Sequence, residues 1–449
     1  MCNNIYKVKT VKSINCDKTI NVCVPGSKSI TNRALLIAAM AKGTSVVNGC
    51  LTSDDAAHFL DCLRKLGFPV KTEPDGGLGI NIEITGFGGD IPNKNAEIYV
   101  GSAGTAARFL AAMLAFSEGE FIINSSEQMK KRPMQPLIDT LREAGATVIC
   151  TENEGHFPLK IIGVKDKSLI PESITVNIDK SSQFLSALLI AAGTFSRPVT
   201  IRAEGKHGLS YVELTAEMMR SFGVDPLKNE SDEGVSYGFT GNESYNAVHY
   251  NVEPDMSAAA YFYAMAAVLG VNVAVKGVCE NMLQGDTELL RVLCDMGCTA
   301  SKDESGQISV KGADNGMLTG GFEIDMSSFS DQALTIAAIA PFADAPITLT
   351  GIGHIRLQEC DRINAIVQNL SSMGIKCEER EGSVTIYPGI SHGCDVETYD
   401  DHRVAMSFAL TGLRTENINI LNPECCKKTF AEYFDVLDDV LTEITGGLS

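Results

Sequence analysis

The run Asp400-Asp401-His402-Arg403 leads straight into VAMSFAL, placing two carboxylates, an imidazole and a guanidinium where an apolar helix begins. Charged groups at the mouth of a buried segment suit the handling of an anion and a proton, although an ordinary helix cap would also use an Asp there. Three further clusters have the same form. Pro25-Gly26-Ser27-Lys28-Ser29 precedes Arg33, Gly101-Ser102-Ala103-Gly104-Thr105 leads to Arg108, and Asp179-Lys180-Ser181-Ser182-Gln183 opens FLSALLIAA. Asp331 in SDQALT, and Gln358-Glu359-Cys360-Asp361-Arg362, add acids close to bases. Lys130-Lys131-Arg132 and Lys427-Lys428 are the local cationic runs. Singly, each cluster also reads as a cap, a tight small-residue turn, a surface ion pair or a solvated lysine. The first is not a nucleotide-triphosphate loop, which requires Gly immediately before the Lys, where Ser27 stands.

The elements that must carry these residues repeat. Six times, about every 75 residues, a short β-like run stops, a small polar cluster follows and an Ala-rich apolar stretch begins, at Val24, Val100, Ile178, Val252, Ile324 and Val396. A second landmark, a helical pattern closed by Gly before a new strand, recurs at Gly67, Gly145, Gly223, Gly297 and Gly374. Each unit reads strand, helix, strand, helix, strand, strand, and the Ala-rich helices, apolar nearly all round, should be buried. Helix N-termini carry unpaired N–H groups and about half a positive charge, so gathering them would make an anion site. The expected fold class is α/β, with two similar domains of three βαβαββ repeats each. The first spans 25–253; the second comprises 1–24 plus 254–449, the strand-like KTINVCVPG returning to complete it, and the active site is expected in the cleft between them.

At 449 residues the chain exceeds one ordinary core, and its 44% hydrophobic content suits a globular protein. The net charge of −19 opposes binding to nucleic acid or to an anionic membrane. Fourteen cysteines include no CxxC pair and no His-Cys metal spacing, and the polar start MCNNIYKVKT shows no signal peptide, so free thiols in the cytoplasm are expected. Met256–Val275 imitates a membrane span, but the break at Gly270-Val271-Asn272 divides it into a buried helix and a strand.

Assembled, PGSKSITNRALLIAAMAKGT, GSAGTAARFL, KRPMQPLIDTLREAGA, SSQFLSALL, SYVELT, QECDRI, DDHRVAMSF and KKTFAEYF resemble, in order and over essentially the whole chain, the 5-enolpyruvylshikimate-3-phosphate synthases. The resemblance implies an enolpyruvyl transferase inverse α/β barrel. It implies transfer of the enolpyruvyl group of phosphoenolpyruvate to the 5-hydroxyl of shikimate 3-phosphate, without metal or organic cofactor. It also implies a role in aromatic amino-acid synthesis and inhibition by glyphosate, with a monomer expected. Carried over by position, shikimate 3-phosphate would be held by Lys28, Ser29, Arg33, Ser181, Ser182, Gln183, Tyr211, Asp331, His354 and Gln358. Phosphoenolpyruvate would meet Lys28, Gly104, Arg132, Gln183, Arg362, Arg403 and Lys428. Lys28, Asp331 and Glu359 would be catalytic, Asp331 as base at the hydroxyl and Glu359 as acid at the methylene carbon. Gly104 would form the tight wall of the donor pocket.

The chain departs from that pattern at Ser102, where Asn is usual, at Gly208, where Ser is frequent, and at His354 and Gln358, where Asn and Lys are common. Two other readings compete: the sister enzyme that transfers enolpyruvate to UDP-N-acetylglucosamine, and a non-catalytic small-anion receptor. The sister enzyme's signature has Lys-Asn at the first helix and a loop cysteine, whereas this chain has Lys28-Ser29 and no cysteine between Cys62 and Cys150. A receptor would carry Asp331 and Glu359 among its cations at an electrostatic cost.

Overall fold

The computed structural model describes residues 4–16, 18–205, 208–231, 234–313 and 316–447. The chain divides into two compact units, a first of Gly26–Val252 and a second of Met1–Pro25 with Glu253–Ser449. In the first unit the helices are α1 (Lys28–Met40), α2 (Asp54–Lys65), α3 (Gly104–Ala115), α4 (Glu127–Lys130), α5 (Gln135–Glu143), α6 (Gln183–Ala192) and α7 (Leu209–Ser221). Three four-stranded sheets accompany them. In one, Asn95–Tyr99 runs parallel to Glu120–Asn124, with α3 as the crossover. Glu120–Asn124 then pairs antiparallel with Leu159–Ile162, and that strand with Thr147–Cys150. This is the βαβαββ unit. The sheet built on Ser173–Asn177 repeats it. In the sheet built on Lys42–Leu51, the parallel place is filled by His249–Asn251, from the far end of the unit.

The second unit contains α8 (Met256–Leu269), α9 (Glu288–Asp295), α10 (Ala333–Ile339), α11 (Arg362–Ser372), α12 (His402–Gly412) and α13 (Tyr433–Thr445). Its first sheet takes the parallel strand from before the first unit, Ile20–Val22 beside Asn272–Cys279. The sheet of Phe322–Asp325 and Ile347–Thr350 has the full four strands. The last has three: Asp395–Val396 lies parallel to Asn419–Leu421, and Ile5–Lys7 pairs antiparallel on its other side. Among the described residues the sheets thus form six βαβαββ-type units.

Alanine spacing explains the cores. Every residue of α3 and α8 is buried, and α1, α6, α10 and α12 are buried over nearly their whole length. Small side chains let α3 lie against α6, and α10 against α12, at close range. The outer helices are one-sided instead; α5 buries Leu137, Ile138 and Leu141 and exposes its charges. The recurring glycine has a local cause: Gly67, Gly145, Gly223, Gly297 and Gly374 follow α2, α5, α7, α9 and α11 with φ of +92°, +100°, +90°, +95° and +81°. A Cβ disfavours that left-handed turn out of a helix. Gly446, at φ +68° after α13, completes the series.

Met256–Leu269 is one buried helix ending at Gly270, and among the described residues no helix is long and apolar enough to cross a membrane. One expected helix start is displaced. Asp331 precedes α10 in a 3₁₀ turn, Ser330–Gln332, and the helix is short because another 3₁₀ turn, Ala340–Phe342 with Pro341, follows it.

Candidate active site

In the first unit, α1, α3 and α6 open at Lys28, Gly104 and Gln183, and no side chain of the N-cap residues Ser27, Ala103 and Ser182 caps them. The first-turn amides of α1 and α3 therefore suit an anion more than a cap would allow, whereas Ser181 takes the first amide of α6. Arg33, one turn into α1, is 1% exposed. Its Nε donates to Thr215 Oγ1 at 2.7 Å, Nη1 to the Ser29 carbonyl at 3.0 Å and Nη2 to the Tyr211 carbonyl at 3.2 Å, and it lies 5.2 Å over the Phe109 ring. Among the described residues no carboxylate pairs with it, and burial lowers its pKa to about 10. A buried guanidinium lacking a counter-charge is prepared for an incoming carboxylate or phosphate.

Lys28 Nζ lies 2.6 Å from Asp55 Oδ2, which aims it from the start of α1. Gln183 is clamped between Arg108 Nη1, at 2.5 Å from its Oε1, and Thr105 Oγ1, at 3.1 Å from its Nε2. Arg108, to which sequence reasoning gives no role, thus fixes which face Gln183 presents. Ser181 Oγ accepts from the Gln183 amide at 3.3 Å.

Two departures from the family pattern have structural causes. Gly208 caps α7 at φ +62°, and a Cβ there would lie 2.7 Å from Ser182 Oγ. Ser102 Oγ meets Ser126 Oγ at 2.7 Å, tying the start of α3 to the cap of α4. At Gly104 an added Cβ would come within 2.6 Å of Arg132 Nη1 and 2.9 Å of its Cζ, so a cation forms this wall.

The second unit presents a different object, a lattice of alternating charges. Arg362, 2% exposed at the start of α11, donates from Nε to Asp401 Oδ2 at 2.8 Å. Its Nη1 reaches Asp331 Oδ1 at 3.0 Å and the Gln358 side-chain oxygen, and its Nη2 reaches Glu359 Oε2 at 3.0 Å. Asp331 bridges onward to Arg403 Nη2 at 2.9 Å, and Glu359 to Lys428 Nζ at 3.2 Å. Burial alone would weaken the Arg362 cation; Asp401, Glu359 and Asp331 more than compensate and raise its pKa.

Asp401 is fully buried and caps α12 by accepting the Arg403 amide at 2.9 Å. Sequence reasoning places it in the cluster but misses that it anchors Arg362. Two consecutive left-handed residues, Tyr399 at φ +54° and Asp400 at φ +57°, deliver the chain to that cap. His354 reaches Ser330 Oγ at 2.8 Å, beside Asp331 in sequence. Asp331, Glu359, Arg362, Arg403, Lys428 and Gln358 are therefore one connected group, with His354 at its margin. Lys28, Ser29, Arg33 and Tyr211 form one neighbourhood in the first unit, and Gly104, Arg132, Ser181, Ser182 and Gln183 lie at or near the starts of α3 and α6. Among the described residues no group of three or more His, Cys, Asp or Glu could hold a metal ion.

In this α/β fold the first unit thus offers helix starts without a cap from their N-cap residues and a buried arginine, and the second a carboxylate–cation lattice. Residues 15–437 match the family model of EPSP synthase (3-phosphoshikimate 1-carboxyvinyltransferase). The chain belongs to that family. It is 39% identical over 425 residues to the 3-phosphoshikimate 1-carboxyvinyltransferase of Nostoc punctiforme, covering 94% of this chain and 97% of the relative. It is 39% identical over 444 residues to 3-phosphoshikimate 1-carboxyvinyltransferase 2 of Halalkalibacterium halodurans, covering 97% and 95%. EPSP synthase from Acinetobacter baumannii superposes with a TM-score of 0.76 at 25% identity, over 97% of this chain and 98% of that one.

Proposed function

We propose a division of labour for the reaction of this family, in which the enolpyruvyl group of phosphoenolpyruvate passes to the 5-hydroxyl of shikimate 3-phosphate and phosphate leaves. The first unit grips the acceptor: Arg33 and Ser29 take its carboxylate, Ser181 and Ser182 its 3-phosphate, and Tyr211 lies beside its ring. Asp331, His354 and Gln358 complete the acceptor set. Arg132, Arg362, Arg403 and Lys428 balance the donor's phosphate and carboxylate, with Lys28 and Gln183 serving both substrates and Gly104 giving room.

Asp331 accepts the hydroxyl proton as oxygen attacks, and Glu359 delivers a proton to the methylene carbon. In the elimination Glu359 takes a proton back from the methyl group as the C–O bond to phosphate breaks, and the departing phosphate carries away the proton that Asp331 took from the hydroxyl. Addition across an enol double bond needs such a pair. The observation that carries this reading is that one buried guanidinium holds both carboxyls, Asp331 through Nη1 and Glu359 through Nη2. In this reading the chain acts as a monomer on small cytoplasmic anions.

Phosphate release with the two substrates tests the reaction, with UDP-N-acetylglucosamine as the competing acceptor; release only with the latter would overturn it. Asp331→Ala and Glu359→Gln should each lower kcat by ~10²-fold or more with acceptor binding far less affected, and Glu359→Gln should suppress solvent-hydrogen exchange into the methylene. Normal turnover in both variants would remove them from the chemistry.

A further inference from the structure

A buried acid outside the assigned set lies next to the assigned base. Asp286, in the 3₁₀ turn Gly285–Thr287 ahead of α9, is 4% exposed. Its Oδ1 accepts from Gln332 Nε2 at 2.9 Å, and Gln332, itself fully buried, is the residue after Asp331. Gln332 Oε1 accepts in turn from Thr335 Oγ1 at 3.1 Å. The turn is latched on its other side, where Gln284 Oε1 accepts the first amide of α8, Met256 N, at 3.0 Å and its Nε2 donates to the Pro254 carbonyl at 2.8 Å.

Asp286 therefore has a fixed place and one neutral donor, and among the described residues no cation pairs with it within 4.0 Å. The charged groups that face it are Asp331 from the turn before α10, Arg403 from α12 and Asp255 from the cap of α8. An unpaired buried carboxylate is costly, and a fold keeps one where its charge is used.

We propose that Asp286 is a positioning residue for Asp331. Its carboxyl holds Gln332, and so the turn that carries Asp331, and its negative charge partly offsets the pull of Arg362 and Arg403 on the Asp331 carboxylate. This rests on the reading of Asp331 as the base. Two arginines bonded to a carboxylate stabilise its ionised form and weaken it as a proton acceptor; a second carboxylate nearby restores proton affinity. The interaction is reciprocal, and Asp286 shows the other side of it: burial first, and then the Asp331 charge, push its pKa up. The two acids then titrate as a pair.

The test is the pH dependence of kcat from pH 5 to 9 for the full chain, Asp286→Asn and Asp286→Glu. Asparagine keeps an oxygen for Gln332 and removes the charge. The expected result is plateau kcat down roughly three- to tenfold, the acidic limb moved to lower pH by about one unit, and both KM values within about threefold of wild type. Asp286→Glu should move the limb back. At pH 8 the Asn variant should melt no lower than wild type, since it loses a buried unpaired charge. An unmoved limb, or a loss of kcat accompanied by lower melting and no return with Glu, would overturn the proposal.

If neither variant folds, carboxyl carbon NMR of the wild-type chain decides: shared titration steps for Asp286 and Asp331 support it, and independent ones sink it. Wild-type kcat in Asp331→Asn would instead overturn the base assignment. An inactive Asp331→Asn together with an unmoved Asp286→Asn limb would overturn only the present inference.

Discussion

Arg33 and Arg362 are both buried guanidiniums at helix starts, yet the chain treats them oppositely. Arg362 is surrounded by three carboxylates, whereas Arg33 is given two carbonyls, one hydroxyl and an aromatic face. Removing Arg33 strands no buried anion, so Arg33→Met should melt at or above the wild-type temperature. It should still lose acceptor affinity by ~10–100-fold, because hydrogen bonds to a charged group contribute roughly 1.5–3 kcal/mol. Calorimetric titration with shikimate 3-phosphate beside a thermal melt checks both halves; unchanged affinity would remove Arg33 from the acceptor site. Gly104 yields a second test. A methyl there meets the Arg132 guanidinium, so Gly104→Ala should raise the donor KM together with the glyphosate inhibition constant, overpacking typically costing ~1–3 kcal/mol. A rise in the inhibition constant alone would show that the glycine acts as a wall independently of Arg132.

At the scale of elements, helix starts do the positioning, and α12 shows how tightly. The left-handed pair Tyr399 and Asp400 turns the chain so that Asp401 can cap the helix and hold Arg362 at once. A β-branched residue tolerates that backbone poorly. Asp400→Val should cost about 1–2 kcal/mol and weaken donor binding through misplacement of Asp401, although Asp400 itself is exposed. A melting curve and a donor titration read the two effects; intact donor binding at reduced stability would separate the turn from the site.

Much of this was legible because it is local. Apolar periodicity announces α1, α3, α6, α8 and α12, and the glycine beat announces where the outer helices stop. What escaped depends on partners distant in sequence. Nothing in SDQALT reveals that Asp331 reaches Arg403 across α10 and α12, and nothing in GSAGT reveals Arg132 against Gly104. The Gln-Gly-Asp turn that carries Asp286 looks like any polar loop. The 3₁₀ start before α10 escaped for another reason, since Ser-Asp-Gln opens an α-helix equally well.

At the scale of the whole molecule, each unit completes its own sheets: His249–Asn251 closes the first unit, and Ile20–Val22 with Ile5–Lys7 close the second. The segment 26–252 should therefore fold when expressed alone, with a cooperative thermal transition. Under the proposed assignment it should bind shikimate 3-phosphate more weakly than the full chain, since it lacks Asp331, His354 and Gln358. Circular dichroism and calorimetry on that fragment are the check, and a fragment without a cooperative melt would refute the independence of the unit.

The borrowed strands also impose an order in time. Ile20–Val22 and Ile5–Lys7 are made long before the strands they pair with, Asn272–Cys279 and Asn419–Leu421. The first unit can close in the interval while the segment that precedes it waits without its partner strands. That segment carries Lys7, Lys9, Lys12 and Lys18 between its short apolar runs, and lysines on an unpaired strand discourage adhesion to other nascent chains. Pairing of Tyr6 with Ile420 must then wait until the chain between them has been made, so a strand ahead of the first unit seals the second unit late, around Asp331 and Glu359.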